Sequence, residues 1–205
     1  MRALNPVVLP EQFKAVKDDD EEFLWVGEPA FWPFLLTGVP FLIIGLLWGA
    51  FDYFGFIRHM PAKMAGFMIP FFLLHLFPFW GSILNMGRLI LVHKNTFYTI
   101  TNKRVMLRSG FWGIGFEAID YDKISDIQVT VNPLESMLGA GSIRFSTGET
   151  TSKGAALYKT FIAIAEPYEV FKLVKKTTVD IKTDWNYPNK LRPEDNPGYN
   201  TKYKK

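Results

Sequence analysis

The chain has no cysteine and only three histidines among its 205 residues. The first absence excludes a disulfide framework, thiolate metal sites and cysteine nucleophiles, and leaves the redox compartment open. The second leaves His59, His75 and His93 scattered, without HExxH spacing or carboxylates placed to orient them, so no metal-hydrolase constellation can be assembled. Neither sign of charge dominates: 23 Lys and Arg stand against 20 Asp and Glu, for a net charge of +3. Basic residues so diluted, with no readable stacking motif of aromatics, exclude nucleic acid as a partner. The first 30 residues lack a basic segment leading into a short apolar core and carry the acidic run Asp18 to Glu22 instead, so the N-terminus is expected to be retained.

Charge is missing altogether from two long stretches. Residues 31–51, FWPFLLTGVPFLIIGLLWGAF, make 21 residues without a charge, which as a helix would be about 31 Å long against a hydrocarbon core of about 30 Å. Residues 64–87 make 24 more, long enough to cross with some tilt. Both are expected to span a membrane as a hairpin (31–87), with Trp32, Trp48 and Trp80 near the ends of the runs and Asp52 to Lys63 as a short loop. That loop holds Arg58 and Lys63, whereas Lys14 and Lys17 precede the first run and Arg88, Lys94, Lys103, Arg104 and Arg108 follow the second. The bias toward basic flanks predicts a multi-pass protein of the cell (inner) membrane with both termini cytoplasmic. Pro40, Pro70 and Pro78 are expected to bend the helices. Gly45 and Gly49 match the small-xxx-small pattern that lets helices approach closely, either inside the hairpin or between copies in a homo-oligomer. His75 is the one ionisable residue within the runs, and with no acidic partner in either run it is expected as a hydrogen-bonded structural residue rather than a proton relay.

The period changes from helical to two near Thr96. In YTITNKRVMLRSGFW (98–112), Val105 and Leu107 alternate with Met106 and Arg108, and Ser109-Gly110 is expected to close a hairpin. Ile127, Val129 and Val131 alternate with Asp126, Gln128 and Thr130; Asn132-Pro133 then breaks the strand, and PLESML reads as one helical turn with a glycine exit. Ile143 and Phe145 begin another strand, Thr147-Gly148 suggests a turn, and Thr160 to Ile164 supplies a last strand. Pro167 fits a first helical position, and Val170, Phe171 and Val174 form an apolar stripe that ends at Lys175-Lys176. Six or seven strands closed by one helix make a domain at 88–182. Residues 1–30 are read as a cytoplasmic N-terminal segment, and 183–205, rich in Pro, Asn, Lys and Tyr without period, as a disordered polar tail.

VGEP (26–29) before the first run, YTITNKRVMLRSGFW (98–112), DYDKISDIQV (120–129), LESMLGAGSIRF (134–145) and AEPYEVFKLV (165–174) together resemble the membrane-flanked bacterial pleckstrin-homology (PH) family. The resemblance covers most of residues 26–176. It implies a two-helix transmembrane hairpin followed by a mainly-β PH-like barrel or sandwich with one C-terminal amphipathic α-helix, and a membrane-anchored accessory or scaffolding role without established chemistry.

The residues themselves supply no enzyme: Asp120, Asp122 and Asp126 read as solvated charges about a turn, and Gly110, Gly113 and Gly115 occur in the wrong order for a dinucleotide fingerprint. No catalytic residue, metal ligand or cofactor is assigned. Lys103, Arg104 and Arg108 are expected either to contact anionic inner-leaflet lipids without headgroup specificity or to serve as solvated charge on a strand edge. Two functions stay open. One is a non-enzymatic interaction module that meets the lipid bilayer and a protein partner; the other is an oligomeric small transport or permeability component built from the hairpin.

Overall fold

The computed structural model describes residues 10–150, 152, 154 and 156–186. In chain order the elements are α1 (Glu11–Val16), β1 (Phe23–Gly27), α2 (Phe31–Leu36), α3 (Val39–Gly55), α4 (Ala65–His75), α5 (Phe77–Asn95), β2 (Phe97–Thr101), β3 (Arg104–Ser109), β4 (Gly115–Asp120), β5 (Asp126–Thr130), α6 (Pro133–Met137), β6 (Ala140–Thr150), β7 (Ala156–Ala165) and α7 (Pro167–Asn186). They form two compact units, one of residues up to Ala30 and from Asn95 onward, the other of Phe31–Lys94.

The first unit holds two antiparallel sheets, ordered β1-β2-β3-β4 and β5-β6-β7. The β domain thus starts earlier than the change of period near Thr96 indicates. β1 precedes the apolar segment and pairs with β2, which follows it, with Val26 opposite Thr99 and Gly27 opposite Tyr98. A bulge between Phe23 and Trp25 turns the Trp25 ring into the core, where it stacks on Phe161. The ring lies over Gly27, where a Cβ would come within 2.3 Å of it, so this glycine belongs to the packing of the tryptophan.

Between the sheets lie Ile100, Val105, Ile119, Ile143, Phe145 and Phe161, all buried. Tyr98 joins the two layers: its ring stacks on Phe161 at 4.6 Å, its hydroxyl donates to Ile162 O at 3.0 Å, and the Ile162 N–H donates back to it at 3.0 Å. The next residue, Ala163, has φ +56°, so β7 departs from regular pairing where the tyrosine enters. Burial raises the pKa of this phenol and keeps it a donor. Met106 and Arg108 are buried along with Val105, so β3 is covered on both faces rather than alternating between core and solvent. On the outer face, Phe13 of α1 is fully buried and meets Phe116 of β4 edge-on at 5.2 Å.

Asn132 caps α6 through a capping box with Glu135, and Gly139 at φ +65° provides the expected exit. No turn interrupts β6 at Thr147-Gly148: the strand runs on to Thr150 and absorbs Gly148, φ +77°, as an irregularity. Helix α7 begins with Pro167 and does not stop at Lys175-Lys176. Thr178 and Ile181 extend the buried stripe of Val170 and Val174, and Lys182 Nζ donates to Ile124 O at 2.6 Å. It reaches Asn186, beyond the Thr183 start of the expected tail; the rest of that tail, 187–205, lies outside the described residues.

In the second unit the first apolar run is divided. Thr37 and Gly38 separate α2 from α3, because Pro40 has no N–H and its ring would strike the carbonyl of Leu36, so the helix restarts with proline in its first turn. The helical stretch Val39–His59 is long and apolar enough to cross a membrane and only 11% buried. The second run is a pair of helices bent by 47° at Leu76, where Pro78 breaks the ladder, and the pair passes the same test only if taken together. One unbroken apolar helix, rather than two, is therefore present among the described residues.

Replacing Tyr98 by Phe leaves the Ile162 N–H and C=O without their cross-sheet partner. The expected cost is about 1–2 kcal/mol, measured as a lowered midpoint when the full chain is unfolded thermally in detergent under near-UV circular dichroism.

Candidate functional site

The three basic residues on the edge of β3 do not form one exposed face. Lys103 lies in the β2–β3 turn and pairs with Asp20 and, at 3.3 Å, with Asp18. Arg104 forks onto Glu21, with Nε to Oε1 at 3.1 Å and Nη2 to Oε2 at 2.8 Å; the same Nη2 donates to Val16 O at 3.1 Å. Glu21 is buried and also accepts from Thr101 Oγ1 at 2.7 Å and from the Asp18 N–H at 3.0 Å. Arg108 is 6% exposed, lies over the Phe97 ring and reaches Asn95 O at 3.5 Å. Two of the charges offered to an anionic leaflet are thus held by the acidic run 18–22, and the third is covered.

This acidic clasp is where the sequence reasoning found least, having assigned the run 18–22 no role. The available signal was its sign, opposite to that of Lys103-Arg104. What hid it was a separation of 83 residues between Glu21 and Arg104. Asn102 completes it: Glu22 N–H donates to its Oδ1 at 2.9 Å, and its own N–H donates to Glu22 O at 3.0 Å. Burial alone would raise the Glu21 pKa, but hydrogen bonds from Arg104, Thr101 and the Asp18 backbone, with the guanidinium charge, together lower it below 4.5. The hydrogen bonds to Glu21, with the nearby carboxylate charges, raise that of Arg104.

Inside the helical unit α3 packs antiparallel against α4 and α5. A Cβ on Gly38 would meet Leu89 and Met86, one on Gly45 would meet Ser82 and Pro78 O at 2.2–2.7 Å, and one on Gly49 would meet Phe79. The small residues therefore admit the partner helix of the same chain. Asp52, expected in the polar loop, is carried inward by α3, which runs on to Gly55. It is completely buried with its Oδ1 3.5 Å from His75 Nε2, and neither oxygen makes a hydrogen bond. His75 thus does have an acidic neighbour. Phe71 stacks on its ring and Trp48 Nε1 donates to its carbonyl at 3.2 Å. Gly45, Gly49 and Asp52 recur at i, i+4 and i+7, the helical spacing that would have placed the aspartate on the packed face.

Asp120 caps a 3₁₀ turn at Tyr121–Lys123 that contains Asp122, and Lys123 pairs with Asp120 at 3.1 Å. Gly110 and Gly113 lie in the β3–β4 connection, and Gly115 opens β4 opposite Ser109. Among the described residues no group of three or more His, Asp or Glu is gathered to hold a metal ion.

A four-stranded and a three-stranded antiparallel sheet closed by a C-terminal helix define a PH-type domain, a class of interaction module. Residues 31–178 match the family described as bacterial PH domain, and the chain belongs to that family. The match takes in the apolar helices as well as β2 to β7. No curated protein and no solved structure matches the chain.

Replacing Glu21 by Gln removes the counter-charge of a shielded guanidinium and is expected to cost about 2–3 kcal/mol at neutral pH. Because folding lowers the Glu21 pKa, its contribution is complete above the ordinary value of 4.5 and drains as pH falls through the folded value. Thermal unfolding of both proteins across pH should show the gap between them narrowing below that value, and a gap independent of pH would refute the assignment.

Proposed function

We propose that the chain is an integral membrane protein that presents its PH-type domain at the inner leaflet as a non-enzymatic interaction or scaffolding module. The observation that carries this reading is the pairing of β1 with β2. Strands on either side of residues 31–94 belong to one sheet, so both ends of that segment must lie on one side of any bilayer. The segment then crosses an even number of times, which assigns one crossing to α3 and the return to the bent pair α4–α5. A single crossing would tear β1 from β2.

The surface of the helices favours burial in lipid. Phe67, Leu74 and Leu84 are 79%, 80% and 72% exposed, and Ile43, Ile44, Leu47, Phe51 and Leu73 are more than half exposed. An apolar surface this extensive is not left to water by monomeric soluble proteins. With Lys14, Lys17 and the basic residues from Arg88 onward flanking the segment, the domain and both termini lie in the cytoplasm, against the inner membrane. The domain recruits a protein partner there. The alternative, an oligomeric transport component, draws less support, since Gly45 and Gly49 are already filled by Ser82 and Phe79 of the same chain.

The native chain lacks cysteine, so single introduced cysteines report topology cleanly. In intact cells a membrane-impermeant maleimide is expected to label R58C, and to label K14C and K123C only after permeabilisation. Labelling of position 123 from outside would reverse the orientation, and labelling of positions 58 and 123 from the same side would remove the hairpin.

A further inference from the structure

Two apolar features of the β domain are left uncovered. The β3–β4 connection, residues 110–114, carries Phe111 and Ile114 about half exposed and Trp112 94% exposed. Its backbone is drawn in so tightly that a Cβ on Gly110 would lie 1.7 Å from Gly113 O, and this tight turn holds the aromatic pair outward. The second feature is the α6 turn, where Leu134, Met137 and Leu138 are exposed, Met137 at 83%. A lone exposed apolar residue needs no explanation, but six in two short connections do.

Both features are bonded to the residues where the β domain gives way to the apolar helices. Asn95, which directly follows Lys94 at the end of that segment, donates from Nδ2 to Gly110 O at 3.2 Å. Ala30, which directly precedes the segment, donates its N–H to Ala163 O at 2.7 Å. From there the Ala163 N–H donates to Ser142 Oγ at 3.2 Å, and Ser142 Oγ donates to Glu135 Oε1 of α6 at 3.2 Å. The strand register agrees, since Gly27, Tyr98, Phe97, Arg108, Ser109 and Gly115 all lie at one end of the first sheet. The opposite end carries the acidic clasp and Lys123.

We propose that the 110–114 connection and α6 form an apolar rim that inserts into the interfacial layer of the bilayer, seating the domain on the leaflet from which its helices depart. This inference rests on the membrane reading given above. The chemistry fits the interface: tryptophan and phenylalanine with flanking aliphatic side chains partition at headgroup level, and a rim already tethered by Ala30 and Asn95 adds its contacts at little further entropic cost. Apolar insertion replaces the basic attraction expected from Lys103, Arg104 and Arg108. It therefore requires no anionic lipid and resists salt, whereas a charge-based contact is screened within about 8 Å at physiological ionic strength.

The test uses the full chain reconstituted in phosphatidylcholine vesicles, with an environment-sensitive fluorophore on G113C, M137C or K123C. A Cβ at Gly113 meets nothing within 4 Å, so that variant is tolerated. Labels at positions 113 and 137 are expected to shift to the blue, and a nitroxide lipid labelled near the top of the acyl chain should quench them several-fold more than the label at 123. High salt should leave that quenching unchanged. Combining W112S and F111S with M137C should weaken the quenching at 137 while alkaline washing still leaves the protein in the vesicles. Water-exposed labels on a protein that resists alkaline extraction overturn the rim and leave the membrane reading standing. Blue-shifted labels that lipid nitroxide does not quench show a protein occupant and equally overturn it. Release of the protein by alkali overturns both.

Discussion

Everything in this molecule depends on one strand pairing, β1 on β2, made across an apolar segment of more than sixty residues. The pairing makes the PH-type domain discontinuous in sequence. Closing a flexible connection of this length would cost roughly 4 kcal/mol in chain entropy. Here the connection is structured: α3 runs antiparallel to α4 and α5, with Gly38 against Met86 and Leu89, Gly45 against Ser82 and Gly49 against Phe79. Such a unit returns the chain toward its starting point. The glycines that allow the close approach therefore also serve a sheet to which they do not belong.

The N-terminal segment reinforces the same joint. Trp25 places the largest side chain of β1 in the core beside Phe161, and Gly27 makes room for its ring. Further out, Glu21 sits beneath Arg104 and Thr101, so the strand is held at one end by apolar burial and at the other by charge-assisted hydrogen bonds. A buried carboxylate is favourable only where it is fully partnered, and Glu21 has that complement. Asp52 lies 3.5 Å from His75 Nε2 without a hydrogen bond, so it brings a polar group to the helix contact without the same satisfaction.

Much of the β domain was legible because period two and turn chemistry are local signals. The β3–β4 hairpin closed after Ser109, the Asn132 to Glu135 helical turn with its exit at Gly139, and the start of α7 at Pro167 follow from neighbouring residues alone. Legibility failed where a local feature had two outcomes. Thr147-Gly148 reads as a turn but is absorbed into β6, because pairing with β7 continues past it. Lys175-Lys176 reads as a helix end, but the sheet gives Thr178 and Ile181 a surface to pack on. Pro40 and Pro78 signal a bend without specifying whether the helix kinks or restarts, and here it restarts.

The sequence by itself determined composition-level matters: two long uncharged runs, a β-patterned block beyond them, and three histidines scattered without HExxH spacing. These need only residue type and spacing. Tertiary structure alone decided which charges meet and which strands pair. Lys103, Arg104 and Arg108 look identical to a free basic edge until Asp18, Asp20, Glu21 and Phe97 are brought against them. Likewise Asp52 reads as a loop residue until α3 turns it toward His75. The physical reason is common to both cases: a side chain's charge is local, but its burial and its partner are properties of segments that meet only when the chain folds.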